Sequence, residues 1–170
     1  MANNKWRLSD ELWGKMAPLI PEHKTQHPLG THRKRVDNRA AMDAIFFVLR
    51  TGCQWNALNA TGICSSSSAH RRFQEWRDAG VFERFWQNGL LACKHLAIID
   101  KVGTTSCTSS LARKSQNTDF KAQRWVVERT HIWMNRFRRI LTRWEKKVEN
   151  YETMLHFACG IIVWNKTLLG

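Results

Sequence analysis

The sequence predicts a mainly α-helical, basic protein whose residues 6–95 form a helix-turn-helix-like domain. Three observations carry that reading. Apolar side chains recur at helical spacing through most of the chain between residues 8 and 164. Positive charge far outweighs negative, 27 Lys and Arg against 14 Asp and Glu, for a net charge of +13. Finally, one short basic helix follows a polar loop, the place a recognition helix takes in a helix-turn-helix.

The first helix is expected over residues 8–20. Ser9 suits an N-cap, Asp10 and Glu11 complement the positive end of the helix dipole, and Leu12, Met16 and Leu19 share a face. Pro18 and Pro21 close the element. Residues 22–36 read as a loop ending in Arg33, Lys34 and Arg35, a basic run suited equally to phosphate contact or to simple solvation. His23, His27 and His32 in this loop are irregularly spaced and do not form a metal set.

Asp37 can cap a second helix running to Arg50, with Ala41, Ile45, Val48 and Leu49 as its buried stripe and Gly52 as its stop. Trp55 and Leu58 follow in a connection expected to pack back on the core. A serine run, Ser65 to Ser68, precedes a third helix over 69–78, in which Phe73 and Trp76 face inward. Capping of that helix is assigned to one of Ser66, Ser67 and Ser68. His70, Arg71 and Arg72 near its start are candidate DNA contacts. A fourth helix spans 81–95. An ordinary small bundle with a solvated basic face shares this pattern, and periodicity alone leaves the two open.

Residues 96–120 change character. Leu96 to Ile99 reads as one short strand, and the polar run from Thr104 to Ser110 reads as a linker. A long helix is then expected over 121–147, with Val127, Met134, Phe137, Leu141 and Trp144 on its buried stripe. Its outward side carries Arg136, Arg139 and Arg143, candidate phosphate contacts. A last helix is expected over 150–164. The chain thus divides into 6–95, a junction at 96–120, and a C-terminal unit at 121–168.

Composition excludes several classes. No stretch approaches the roughly 18 consecutive apolar residues of a membrane span. The first ten residues lack an export signal, which predicts a cytoplasmic protein with reduced cysteines. The five cysteines form no CxxC pair, so a zinc site is not expected. Nucleic acid is the leading partner class for so basic a chain.

Glu128 is the one chemically suggestive position. On a helix it shares a polar face with Arg124, His131 and Asn135, which by pattern alone reads first as a helix ion pair, with a metal-binding carboxylate as the second reading.

Three stretches resemble transposases of the insertion-sequence family numbered five, which carry an Asp-Asp-Glu triad on an RNase H-like fold. The first is Leu8-Ser9-Asp10-Glu11-Leu12-Trp13 with Pro18-Leu19-Ile20-Pro21. The second is Arg50-Thr51-Gly52-Cys53-Gln54-Trp55 with Ala69-His70-Arg71-Arg72-Phe73-Gln74-Glu75-Trp76 and Ala79-Gly80-Val81-Phe82. The third is Arg124-Trp125-Val126-Val127-Glu128-Arg129-Thr130-His131, continued by Asn135-Arg136-Phe137-Arg138-Arg139 and Arg143-Trp144-Glu145-Lys146-Lys147.

By this resemblance Glu128 matches the final catalytic glutamate, and Asp100-Lys101 is similar to the pair at the second aspartate. Both would be metal ligands and catalytic residues. The first aspartate has no counterpart, and only about 25 residues stand where the family has the strand-rich part of its core. The resemblance therefore implies an internally deleted relative whose C-terminal helices are left from an RNase H-like core. Such a protein is expected at the nucleoid, binding DNA at terminal inverted repeats, able to pair with a second copy of itself, and neither cleaving nor joining strands. Mg2+ or Mn2+ belongs to an intact relative and is not expected here. The alternative is an active metal-dependent transposase that catalyses DNA transposition.

Overall fold

A computed structural model describes residues 6–22, 35–103 (backbone alone over 94–103), 132–142 and 144–169 (backbone alone at 169). Among these residues the secondary structure is helical throughout, without strands. Helix α1 is Asp10–Met16, and Ala17–Leu19 continues it as one 3-10 turn with Pro18 in its first positions. Proline tolerates the start of such a turn because its missing N–H has no helical partner there. The Ser9 hydroxyl accepts the Leu12 N–H at 3.4 Å, as an N-cap should.

Helix α2 is Asn38–Thr51. The Asp37 carboxylate accepts the N–H groups of Arg39 and Ala40 at its start, and Gly52 stops it in the left-handed region at φ 70°. A side chain at position 52 would also press on the Arg138 backbone, 3.1 Å from an added Cβ, so two requirements fix this glycine. Trp55–Ala60 forms a 3-10 segment that buries Leu58 completely, the packing expected of this connection.

Helix α3 is Ser66–Asp78 and begins three residues earlier than expected. Ser65, outside the three serines predicted as caps, takes the role by accepting the Ser68 N–H. Asn59 accepts the Ser66 N–H at 2.9 Å and ties the preceding loop to the helix start. Helix α4 is Val81–Gly103, so the strand expected over 96–99 is instead a continuation of this helix. A short apolar run carries no period of its own, and a helix already under way absorbs it.

The long helix expected over 121–147 is interrupted in its described part. Residues 132–134 are helical, Phe137 leaves the helical region (φ −115°, ψ 83°), and α5 is the single turn Arg138–Leu141. Residues 144–147 are not helical. The break has a physical reason. Arg139 and Glu145 form a buried ion pair, whereas side chains six residues apart on an unbroken helix diverge by about 120° and are separated by about 9 Å along the axis. Bending the chain also buries Phe137 and Ile140 while leaving Leu141 and Trp144, expected on the buried stripe, 53% and 54% exposed. Helix α6 is Val148–Leu169, longer at both ends than predicted.

One apolar cluster joins all these elements. Leu12 and Met16 of α1, Met42, Ile45 and Leu49 of α2, Phe73 and Trp76 of α3, Phe82 and Phe85 of α4, and Met154, Phe157 and Ile161 of α6 are buried together. Phe157 is its hub, with ring centroids 5.1 Å from Phe82, 6.3 Å from Phe85 and 6.5 Å from Phe46. Helices α4 and α6 lie side by side because glycines face the contact. An added Cβ at Gly160 would fall 2.5 Å from the Phe85 ring, and one at Gly89 would fall 3.1 Å from Trp164. The Trp164 indole N–H donates to the Phe85 carbonyl at 3.0 Å, which satisfies a polar group inside the interface. Residues assigned by sequence to an N-terminal unit and a C-terminal unit therefore share this core.

Candidate nucleic-acid interface

Helix α3 presents its cationic side chains unequally. Ala69, Phe73 and Trp76 anchor one face in the core, and the helix period carries Arg72 inward with them. The Arg72 side chain is 6% exposed, donates to the Val36 carbonyl at 3.1 Å and lies 3.7 Å from the Glu75 carboxylate. Burial pulls Arg72 below the ordinary arginine range, the neighbouring Arg35 charge adds to this, and Glu75 opposes both. Arg35 pairs with the same carboxylate. Arg71 reaches Glu75 at 3.3 Å but remains 79% exposed. Three guanidinium groups thus surround one carboxylate, leaving a surplus of positive charge whose most solvent-accessible member is Arg71. His70 is half-buried, edge-on to Trp55 at 5.0 Å.

Of the α3 residues singled out by sequence, Arg71 is therefore on the surface, His70 at its edge, and Arg72 inside. Arg72 holds the segment before α2 against α3 through its bond to the Val36 carbonyl. The C-terminal end of α3 has the opposite character: Asp78 together with Glu83, Glu149 and Glu152 lines a cavity of about 260 Å3, in which Arg77 is the cationic side chain among the lining residues. Like charge keeps a polyanion from that end, so electrostatics favours approach at the serine-capped N-terminal end.

A second cationic region follows α4. Arg136 and Arg138 are exposed, as are Lys146 and Lys147. Arg139, predicted as a phosphate contact, lies instead in the interior at 5% exposure. Its guanidinium pairs with Glu145, donates to the Cys53 carbonyl at 2.9 Å and lies over the Trp55 ring at 5.9 Å. The Asn150 amide donates to Glu145 at 3.4 Å, and Arg77 donates to the Asn150 oxygen. This polar chain links α5, α6 and α3. Sequence reasoning did not single out Glu145, Asn150 or Arg138. One signal was present: Glu145 is the lone acid among six basic residues in 136–147, and a lone acid in such a run has a cation to neutralise wherever the chain folds.

The remaining predicted positions divide plainly. Arg33, Lys34, Arg143 and Glu128 lie outside the described residues. Asp100 sits within α4 near its C-terminal end, on a helix rather than at the end of the expected strand. Among the described residues, no three His, Cys, Asp or Glu side chains gather into a group able to hold a metal ion. Cys53, Cys64, Cys93 and Cys159 are free thiols, and burial raises the pKa of Cys64 and Cys159, which disfavours their thiolate forms. Among the described residues, no helix is long and apolar enough to cross a membrane.

The match to a known family falls on α1 to α3 and the start of α4. Residues 8–86 match the family described as "Putative transposase of IS4/5 family". The chain is similar to the "Insertion element IS402 uncharacterized 16.2 kDa protein" of Burkholderia cepacia, 41% identical over 78 residues, which is 45% of this chain and 53% of the relative. It is also similar to the "Putative transposase for insertion sequence element IS402" of the same organism, 45% identical over 42 residues, or 25% of this chain and 20% of that protein. The matched region thus spans about half of the first relative and a fifth of the second. No solved structure matches the chain.

Proposed function

We propose, from the premise that residues 8–86 are a domain of insertion-sequence transposases of the IS4/5 type, that this chain binds the ends of such an element through the N-terminal half of α3 and does not cut them. The observation that carries the reading is the exposed Arg71 in the N-terminal half of a helix fixed by its own buried face, within a cluster of three arginines on one glutamate. In a helix-turn-helix the second helix meets the major groove by its N-terminal end. Here α2, the 3-10 segment and α3 stand in that order. Support for the absence of cleavage comes from the sequence. Two-metal phosphoryl chemistry takes several carboxylates held at a fixed separation, and only Glu128 and Asp100 match the family's set. Phosphate contact by arginine asks for no such geometry.

The test is fluorescence anisotropy on a duplex bearing the element's terminal repeat, between about 50 and 200 mM salt. Arg71→Ala is expected to weaken binding severalfold and to reduce the slope of log affinity against log salt by about 1, one phosphate contact's worth. Arg72→Ala serves as the contrast: its loss should appear in thermal stability, because the side chain is internal. An unchanged slope in Arg71→Ala would place the DNA surface elsewhere.

A further inference from the structure

A buried ion pair draws together the described residues 138–142 and 144–147. Arg139 and Glu145 form it, with exposures of only 5% and 9%. The Cys53 carbonyl, the Trp55 ring and Asn150 surround the pair. An ion pair this deep carries a desolvation cost, offset only when the remaining donors and acceptors are filled, as they largely are here. The described residues next to the pair, 138–142 and 144–147, are thereby anchored. Among them stands Trp144, 54% exposed, flanked in sequence by exposed Leu141, Arg138, Lys146 and Lys147. Glu145, the only acid among them, is already neutralised by Arg139.

We infer that this segment is a single-stranded DNA contact in which the Trp144 indole stacks on an unpaired base while Arg138, Lys146 and Lys147 hold the flanking phosphates. An exposed indole flanked in sequence by exposed cations, with the acid next to it already neutralised, matches the two requirements of a strand-binding site, a flat aromatic surface and a positive track for the backbone. The surface fits a second copy of the chain poorly, since a like-charged patch would face it and lysine is depleted in protein interfaces. An intact duplex does not satisfy the indole either. Its base faces are stacked and closed to a side chain, whereas an unpaired strand offers them. The inference rests on the reading above that the chain meets DNA, but it concerns a different surface and a different form of DNA.

The experiment uses the full chain with two labelled probes, a short oligothymidylate and a blunt duplex of the terminal repeat. Trp144→Ala is expected to weaken oligothymidylate binding by about tenfold and duplex binding by less than about twofold, and Trp144→Phe, which keeps a ring, to restore most of the loss. Because Trp144 is exposed, all three proteins should melt alike. Arg71→Ala should show the reverse preference, with its main loss on the duplex. Unchanged oligothymidylate affinity in Trp144→Ala, or an equal loss on both probes, would overturn the inference while leaving the Arg71 result standing. A self-association that disappears in Trp144→Ala with strand binding intact would overturn it in favour of a protein contact. Loss of the Arg71 effect with the Trp144 effect retained would instead overturn the duplex reading alone.

Discussion

Replacing Phe157 with alanine is expected to cost about 3–5 kcal/mol of stability, the range for deleting a fully buried aromatic ring. Phe157 has no exposed surface and meets rings from α2 and α4 at once. The void would not collapse readily. Glycine contacts at positions 89 and 160 already bring α4 and α6 close together, and the Phe85 ring already fills the space over Gly160. Against a typical total of about 5–15 kcal/mol, such a loss leaves the protein marginal at physiological temperature. Urea denaturation followed by circular dichroism measures it. A loss below about 1 kcal/mol, the level of an ordinary surface substitution, would mean that α6 is not docked on the N-terminal helices and that the common core is wrong.

The second large effect concerns the buried pair beside Trp144. Arg139→Ala should destabilise by about 3–5 kcal/mol, because it strands the Glu145 carboxylate in the interior with only Asn150 for company. Replacing both members, Arg139→Leu with Glu145→Leu, should cost clearly less than the sum of the single changes, since no lone charge remains. Additive losses would show that the two side chains do not depend on each other. Arg139→Ala should also release the backbone next to Glu145 and so reduce strand binding by Trp144, although Trp144 itself is unchanged.

Much of the helical layout was legible because it is local. Ser9 and Asp37 are capping residues followed by apolar stripes, and Gly52 is a left-handed stop, so α1 and α2 appear close to their predicted limits. The distinctions that failed are those that depend on distant partners. Leu96 to Ile99 has too few residues to show a period, and its state follows from the helix that precedes it. Residues 134–144 do carry helical spacing, yet Arg139 turns to partners far away in sequence, the Cys53 carbonyl and the Trp55 ring, which no local pattern reveals. The same limit applies to the site. Arg71 and Arg72 are neighbours of one type, and sequence assigns both to DNA. Only the 100° step between them around α3, set against the burial of Phe73 and Trp76, separates a surface residue from an internal one. Trp144 was assigned to the core for the corresponding reason, since a stripe drawn on an unbroken helix carries it inward.

The central claim is that this chain occupies element ends without cutting them. It is tested most directly by incubating the protein with linear DNA bearing the terminal repeats, in Mg2+ or Mn2+, and resolving each sample on native and denaturing gels. The account predicts a retarded complex on the native gel, weakened by salt and by Arg71→Ala, with the DNA strands intact on the denaturing gel. Strand cleavage that disappears in Glu128→Gln would contradict it and establish a working metal-dependent transposase.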